Sequence, residues 1–313
     1  MLPSPSCLLF TAVFPEVHMI FITGASGFVG GHLVDYLIAK GHRAACLARS
    51  ENAQKSLAAK GAEVVSGDVT RPETLNGILK SDDFVIHLVG IIEEKGKATF
   101  ESVHRNGTAN LVAEAKRAGV RHFFYQSALG ADRNSWSGYL RTKAEAEEIV
   151  KESGLSQTIF RPSLIIGPWD GFTKKLVEML KLSPVLPIPG QGKAKFQPVY
   201  IKDWLSCINK VIENPGGFLS TYEIGGPEHI SYREIVEKLS KALGQNRPAV
   251  TIPMGLMRLG ALVFEKVLSS PPVTGDQLRL LEQDNISDPK AIEKNFGFVP
   301  LTYEEALKEF ISP

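Results

Sequence analysis

Apolar positions along this chain change period at regular intervals. The short run Met19 to Ile22 has the length of a buried strand and breaks at Thr23-Gly24. Val29, Leu33, Tyr36 and Leu37 then follow at helical spacing. The alternation repeats. The helix stops at Lys40-Gly41, with glycine in the position after the cap, and a strand runs from Arg43 to Ala48. A second helix, Ala53 to Lys60, closes at Gly61, and a strand from Ala62 to Ser66 leads into Gly67-Asp68-Val69. Thr70, Pro72 and Glu73 have the form of a capping box opening another helix. Beyond it the pattern predicts a strand over Asp83–Val89, a mobile loop over Ile91–Ala98 and a long helix over Phe100–Ala118. A strand over Arg121–Ser127, a helix over Tyr139–Ser153 and a strand over Ser156–Ile166 complete the series.

Strands alternating with helices, without hairpin signals, predict an α/β fold: a Rossmann-type doubly wound parallel sheet with right-handed crossovers. After Ile166 the regularity fails at Pro168, Pro184, Pro187, Pro189, Gly190, Gly192 and Pro198. Helices are expected over Thr173–Leu182, Asp203–Glu213, Tyr232–Leu243, Gly255–Leu268, Asp276–Leu281 and Tyr303–Ile311. Ser231 with Glu234, and Thr302 with Glu305, form capping boxes. The expected organisation is an N-terminal extension over 1–18, a dinucleotide-binding domain over 19–167 and a smaller, mostly helical substrate-binding region over 168–313. The extension reads as a mis-assigned start or a loose arm, with a membrane-associating leader as the alternative. For the apolar helix Gly255–Leu268, core packing or cleft lining is preferred to a membrane or partner face.

The bulk numbers exclude more than they assign. A net charge of +1 gives no electrostatic case for nucleic acid or an anionic membrane surface. Three scattered cysteines, Cys7, Cys46 and Cys207, fit a reducing compartment and neither a disulfide framework nor a metal site. No apolar run is long enough for a transmembrane segment. A cytoplasmic protein, at most peripheral to a membrane complex, is the expectation.

The first chemical signal is Gly24, Gly27 and Gly30 between a strand and an amphipathic helix. In that setting Gly24 permits the tight turn, Gly27 the approach of a pyrophosphate and Gly30 close packing of helix on strand, while the helix N-terminus favours phosphate. At the end of the next strand stands Arg49, with no carboxylate before Glu51. An arginine there can pair with a 2′-phosphate, so NADP(H) is the expected cofactor and NAD(H) the alternative. The second signal is Tyr139 and Lys143, one helical turn apart, with Ser127 at the preceding strand end. A neighbouring ammonium is expected to lower the phenol's pKa, fitting it to pass a proton while hydride moves to or from nicotinamide. Ser127 would hydrogen-bond the same substrate oxygen. His87, inside a strand, reads as a core or cofactor-flanking histidine.

These stretches, with Asn106-Gly107-Thr108, Arg161-Pro162-Ser163 and Tyr222-Glu223-Ile224-Gly225-Gly226-Pro227, resemble the short-chain dehydrogenase/reductase superfamily in its extended, nucleotide-sugar epimerase-like form. The spacing from Ser127 to Lys143 is similar to an atypical branch that includes the nucleotide-binding accessory subunit of respiratory complex I and its bacterial relatives. The resemblance implies NADP(H) held at Gly24, Ser26, Gly27, Phe28, Val29, Gly30 and Arg49. Asp68 and Val69 would lie at the adenine, and Leu88, Val89, Gly90 and Pro162 along the nicotinamide half, with Tyr139 and Lys143. It implies an oxidoreductase or epimerase acting on a hydroxyl or carbonyl of an unidentified small molecule. A non-catalytic NADP(H)-binding protein of a respiratory or quinone-related complex is the second expectation, and a homo-oligomer is compatible with both. Lys193, Lys195 and Arg279 are candidates for a substrate diphosphate.

Overall fold

The computed structural model describes residues 19–245, 247–267 and 274–311, with side chains left undescribed over 262–267. The expectations for Met1–His18 lie outside these residues. Strand β1 (Met19–Thr23) is followed by α1 (Phe28–Ala39), β2 (Arg43–Ala48), α2 (Glu51–Ala59), β3 (Glu63–Ser66), β4 (Phe84–His87), α3 (Gly107–Ala118), β5 (His122–Gln126), α4 (Gly138–Lys151) and β6 (Gln157–Pro162). Then come β7 (Ile165–Ile166), α5 (Gly171–Leu182), β8 (Leu186–Pro189), β9 (Lys195–Phe196), β10 (Val199–Tyr200), α6 (Ile201–Glu213) and β11 (Thr221–Ile224). The last elements are β12 (Ile230–Ser231), α7 (Tyr232–Ala242), β13 (Ala249–Ile252), α8 (Met254–Val267), α9 (Gly275–Leu280), α10 (Ala291–Phe296) and α11 (Tyr303–Phe310).

Seven strands form one parallel sheet in the order β11-β6-β5-β4-β1-β2-β3. The chain starts in the middle, winds outward through β2 and β3, then returns to β4 and winds the other way. Helices cover both faces, so central strands are apolar on both sides, which is why β4 and β5 read as continuous runs. Alternate residues still separate by face. Ile20, Ile22, Phe124 and Phe160 join one core with Leu33, Leu37 and Trp204. Phe21, Val85, Phe123 and Tyr125 join the other with Leu111 and Val150. The sheet draws on chain beyond residue 167: β11 pairs with β6, and α6 sets Trp204 edge-on to Phe124 and Phe160.

Two local expectations are corrected. The box at Thr70 opens no α-helix; Pro72–Thr74 make a single 3₁₀ turn. Asp68 diverts Thr70 by accepting its amide and hydroxyl, both at 2.9 Å, and Gly77 at φ +77° turns the chain away. The long helix over 100–118 begins with a π-helical stretch, Glu101–Asn106, before α3. On α8, Leu256 and Leu259 are 62% and 60% exposed. The capping boxes at Ser231 and Thr302 are present as read, and no described helix is long and apolar enough to cross a membrane.

Three buried imidazoles tie layers together through hydroxyls: His87 to Thr23 and Thr108, His122 to Ser156 and Thr158, and His104 to Thr142. Burial, reinforced by nearby cations, lowers their pKa values to about 3, about 4 and about 3, respectively. An unfolded imidazole takes up its proton near pH 6.5, so below that pH the unfolded chain binds more protons and stability is lost as pH falls. The thermal midpoint should drop between pH 7 and pH 5, each histidine costing up to about 1.4 kcal/mol per pH unit. His122→Gln should flatten that slope in a pH series of melting curves; an unchanged slope would contradict the assignment.

Candidate functional site

The predicted site residues that lie outside α1 and α4 stand at or just beyond the carboxyl ends of strands, where an open α/β sheet receives ligands. Gly24 follows β1, Arg49 β2, Asp68 β3, Leu88 to Gly90 β4 and Ser127 β5, while Pro162 closes β6. The glycine loop is drawn in tightly. Gly24 has φ +76°, and a Cβ on it would stand 2.8 Å from the Leu88 carbonyl carbon. A Cβ on Gly30 would meet the Gly24 carbonyl oxygen at 2.2 Å, and Gly27 donates its amide to that same oxygen at 3.0 Å. Gly27 caps α1 with no side chain over the helix end. The loop therefore fits a dinucleotide diphosphate: bare backbone at a helix N-terminus, held by contacts only glycine permits.

Beyond the ends of β2 and β3 the structure brings Arg49 and Asp68 together, Nη1 to Oδ2 at 3.9 Å. The arginine side chain is 70% exposed, so the pair is loose and the guanidinium is available. Val69 lies against Gly107, where a Cβ would stand 2.9 Å from its Cγ2, and its carbonyl accepts from Asn110 at 2.8 Å. The glycine in α3 thus serves close packing.

At the other end Lys143 is buried. Its Nζ donates to the Gln126 carbonyl at 2.8 Å, lies 5.1 Å from the Tyr125 ring centre and would meet a Cβ on Gly90 at 3.2 Å. Burial pulls its pKa down to about 7, against the opposing charge of Glu147. Tyr139 behaves contrary to expectation. Its ring keeps some exposure but packs edge-on to Phe100 and His104, and burial pushes the phenol up to about 12 rather than down. Desolvation is the cause, and the Lys143 ammonium is turned to the Gln126 carbonyl. Ser127 is buried; its hydroxyl makes no hydrogen bond of good geometry among the described residues, but it lies close enough to Glu147 to help hold that carboxyl down.

Two supports escaped the sequence reading. His104 sits on the π-helical stretch, a form that recurs at functional sites. Its Nε2 must accept from the Ile91 amide at 3.0 Å, so Nδ1 carries the proton and donates to Thr142 Oγ1 at 2.9 Å; that hydroxyl in turn donates to Gly138 at 2.8 Å. One neutral imidazole thereby joins the loop after β4 to the first turn of α4, which carries Tyr139. Glu147, one turn beyond Lys143, is 1% exposed and takes two 2.7 Å bonds from Arg161 and one of 3.0 Å from Lys151. Burial pushes this carboxyl up, but its cationic partners outweigh that and hold it below the usual range. Nothing at sequence level marks His104, and only helical spacing from Lys143 marks Glu147.

Among the diphosphate candidates, Lys195 lies on β9, its backbone amide donating to Asp284, while Arg279 lines an open cavity of about 330 Å³ with Trp136, Arg258, Glu282 and Gln283.

These features define a nicotinamide-dinucleotide-binding Rossmann protein with a strand-end serine and a helical tyrosine–lysine pair. Residues 24–175 match the model of an NAD(P)H-binding family. The chain is 30% identical over 262 residues to a ceramide reductase of Caulobacter vibrioides, covering 82% of this chain and 81% of that one. It is also 30% identical over 302 residues to the mitochondrial NADH dehydrogenase [ubiquinone] 1 alpha subcomplex subunit 9 of Arabidopsis thaliana, covering 89% and 73%. UDP-glucose 4-epimerase of Thermus thermophilus, solved in complex with NAD, shares the fold with a TM-score of 0.70 at 18% identity, over 94% of this chain and 97% of that one. The chain belongs to the short-chain dehydrogenase/reductase superfamily, in the extended branch related to this complex I subunit.

Gly30→Ala should abolish nucleotide binding and lower the melting temperature, because overpacking against backbone costs about 1–3 kcal/mol and cannot be relieved by a rotamer change. Gly31→Ala, whose Cβ would meet nothing closer than 3.8 Å, should leave both intact. Equal behaviour of the two variants in thermal-shift and nucleotide-binding assays would refute the close-packing role.

Proposed function

We propose that the protein is an NADP(H)-dependent reductase of a small-molecule carbonyl, or an epimerase using the same proton transfer. The observation carrying this reading is Lys143 buried beneath Gly90, with Tyr139 one turn before it and the buried Ser127 hydroxyl just past the end of β5. Tyr139 is protonated at neutral pH and can hydrogen-bond a carbonyl oxygen and pass it a proton as hydride arrives, although burial, which raises its pKa to about 12, works against that transfer. Ser127 donates a hydrogen bond to that oxygen and sets its position. Lys143 holds the cofactor's nicotinamide half at Gly90, flanked by Leu88, Val89 and Pro162. A nicotinamide bound there would supply or accept the hydride. Gly24 to Gly30 hold the diphosphate, Val69 and Asp68 flank the adenine, and Arg49 meets the 2′-phosphate.

Reductases among the relatives favour turnover. A second reading rests on the complex I subunits: that of Neurospora crassa is 25% identical over 288 residues, covering 90% of this chain and 76% of that one. On that reading the protein holds NADP(H) as a structural member of a membrane-peripheral assembly and turns nothing over.

Tyr139→Phe should lower NADPH-dependent carbonyl reduction by at least a hundredfold, the span of general acid catalysis, while nucleotide affinity is kept. A panel of carbonyl compounds followed by NADPH absorbance tests it. Slow cofactor exchange, no turnover of any carbonyl by the wild type and co-purification with a larger complex would favour the second reading.

Arg49→Ala should weaken NADPH by about tenfold or more, the worth of a charge-assisted bond, and leave NADH nearly unchanged. Titrations in which NADH binds the wild type more tightly would overturn the cofactor preference.

A further inference from the structure

Strand β4 stops at His87, and the loop leaving it is pinned at two points. Leu88 donates its amide to the Thr23 carbonyl at 3.1 Å, and Ile91 donates to His104 Nε2 at 3.0 Å. Between them Val89 and Gly90 make no hydrogen bond of their own among the described residues, and Gly90 is exposed. Backbone polar groups need partners, and those left unpaired at a surface are open to a ligand. This dipeptide therefore offers bare amides and carbonyls while its two ends are held still.

The floor beneath it is made by two side chains. A Cβ on Gly90 would stand 3.2 Å from Lys143 Nζ and 3.6 Å from His104 Nε2. Lys143 comes from α4 and His104 from the π-helical stretch before α3. The His104 ring is buried, stacked on Phe100 with centroids 5.5 Å apart and set edge-on to Tyr139 at the same separation. Its Nδ1 donates at 2.9 Å to Thr142, the residue before Lys143 and three after Tyr139. Burial lowers its pKa to about 3, so the ring is neutral at working pH and its one proton is committed to Thr142. That excludes a proton-transfer role and leaves a brace. His122 is buried with two hydroxyl partners of its own, but it opens β5, at the opposite end of the sheet.

We propose that His104 is a positioning residue for the nicotinamide half of the cofactor. By holding the Ile91 amide it sets the Val89–Gly90 backbone as the seat of the nicotinamide ring, and by holding Thr142 it sets that seat against the helix bearing Tyr139 and Lys143. This deepens the NADP(H) reading and rests on it for the cofactor, but it does not require turnover.

The test compares two ligands that differ only at the nicotinamide, NADPH and 2′-phospho-ADP-ribose, titrated calorimetrically into the full chain. His104→Leu should weaken NADPH by about tenfold or more, the worth of one lost bond and a loosened loop, and leave 2′-phospho-ADP-ribose within about twofold. In His104→Gln the amide oxygen reaches the Nε2 position and still accepts from Ile91, so most of the NADPH affinity should return. In His104→Asn the amide reaches only the Nδ1 position, and it should not. Should His104→Leu fail to fold, the glutamine and asparagine variants carry the comparison. His122→Leu should lower the melting temperature without separating the two ligands, which distinguishes a brace at the site from a buried histidine in general. Equal weakening of both ligands in His104→Leu would overturn the proposal, as would His104→Asn binding NADPH as tightly as His104→Gln. A wild type that binds NADPH no more tightly than 2′-phospho-ADP-ribose would overturn it too. Selective loss of NADPH in a protein that reduces no carbonyl would sink only the reductase reading. Turnover by the wild type with unchanged NADPH affinity in His104→Leu would sink only this one.

Discussion

The approach of α1 to the end of β1 governs everything else at the carboxyl edge of the sheet. A carbonyl oxygen of Gly24 lies where any Cβ on residue 30 would have to be, and Gly24 itself presses on the backbone after β4. With two backbones in contact, the helix N-terminus points at a short stretch of bare amides. Strand β4 ends at a fixed distance from that loop because Leu88 donates to Thr23 at 3.1 Å. Both halves of a dinucleotide site are thereby set by one packing contact rather than by a set of separate side chains.

The other end of the site is set by buried polar groups. Lys143 is tied to the Gln126 carbonyl, Glu147 is paired with Arg161, and His104 links Ile91 to the start of α4. Breaking a buried pair costs about 3–5 kcal/mol, more than most single substitutions, so these groups act as rigid supports for the residues above them. The balance of burial and charge also decides protonation. It raises the phenol of Tyr139 and lowers the ammonium of Lys143, whereas helical spacing alone suggests a lowered phenol.

The smaller lobe does not stand apart from this arrangement. Strand β11 completes the main sheet, Trp204 of α6 packs into it, and Asn285 returns to the strand ends. On α9, Arg279 reaches Trp136 in the loop before α4.

Periodicity by itself determined the parallel α/β architecture, because strands buried on both faces must be apolar throughout while their covering helices must not. It also determined the glycine loop, since only one residue type tolerates the left-handed turn at Gly24 and the contact at Gly30. The capping box at Thr70 was misleading for a reason equally local in form but tertiary in origin: Asp68, held at the end of β3, captured its donors. Only the tertiary structure decided that His104 and Glu147 support the site, that the phenol of Tyr139 is raised and that Arg279 meets Trp136. Each of these depends on which groups from distant parts of the chain exclude water from one another, and desolvation leaves no mark on linear spacing.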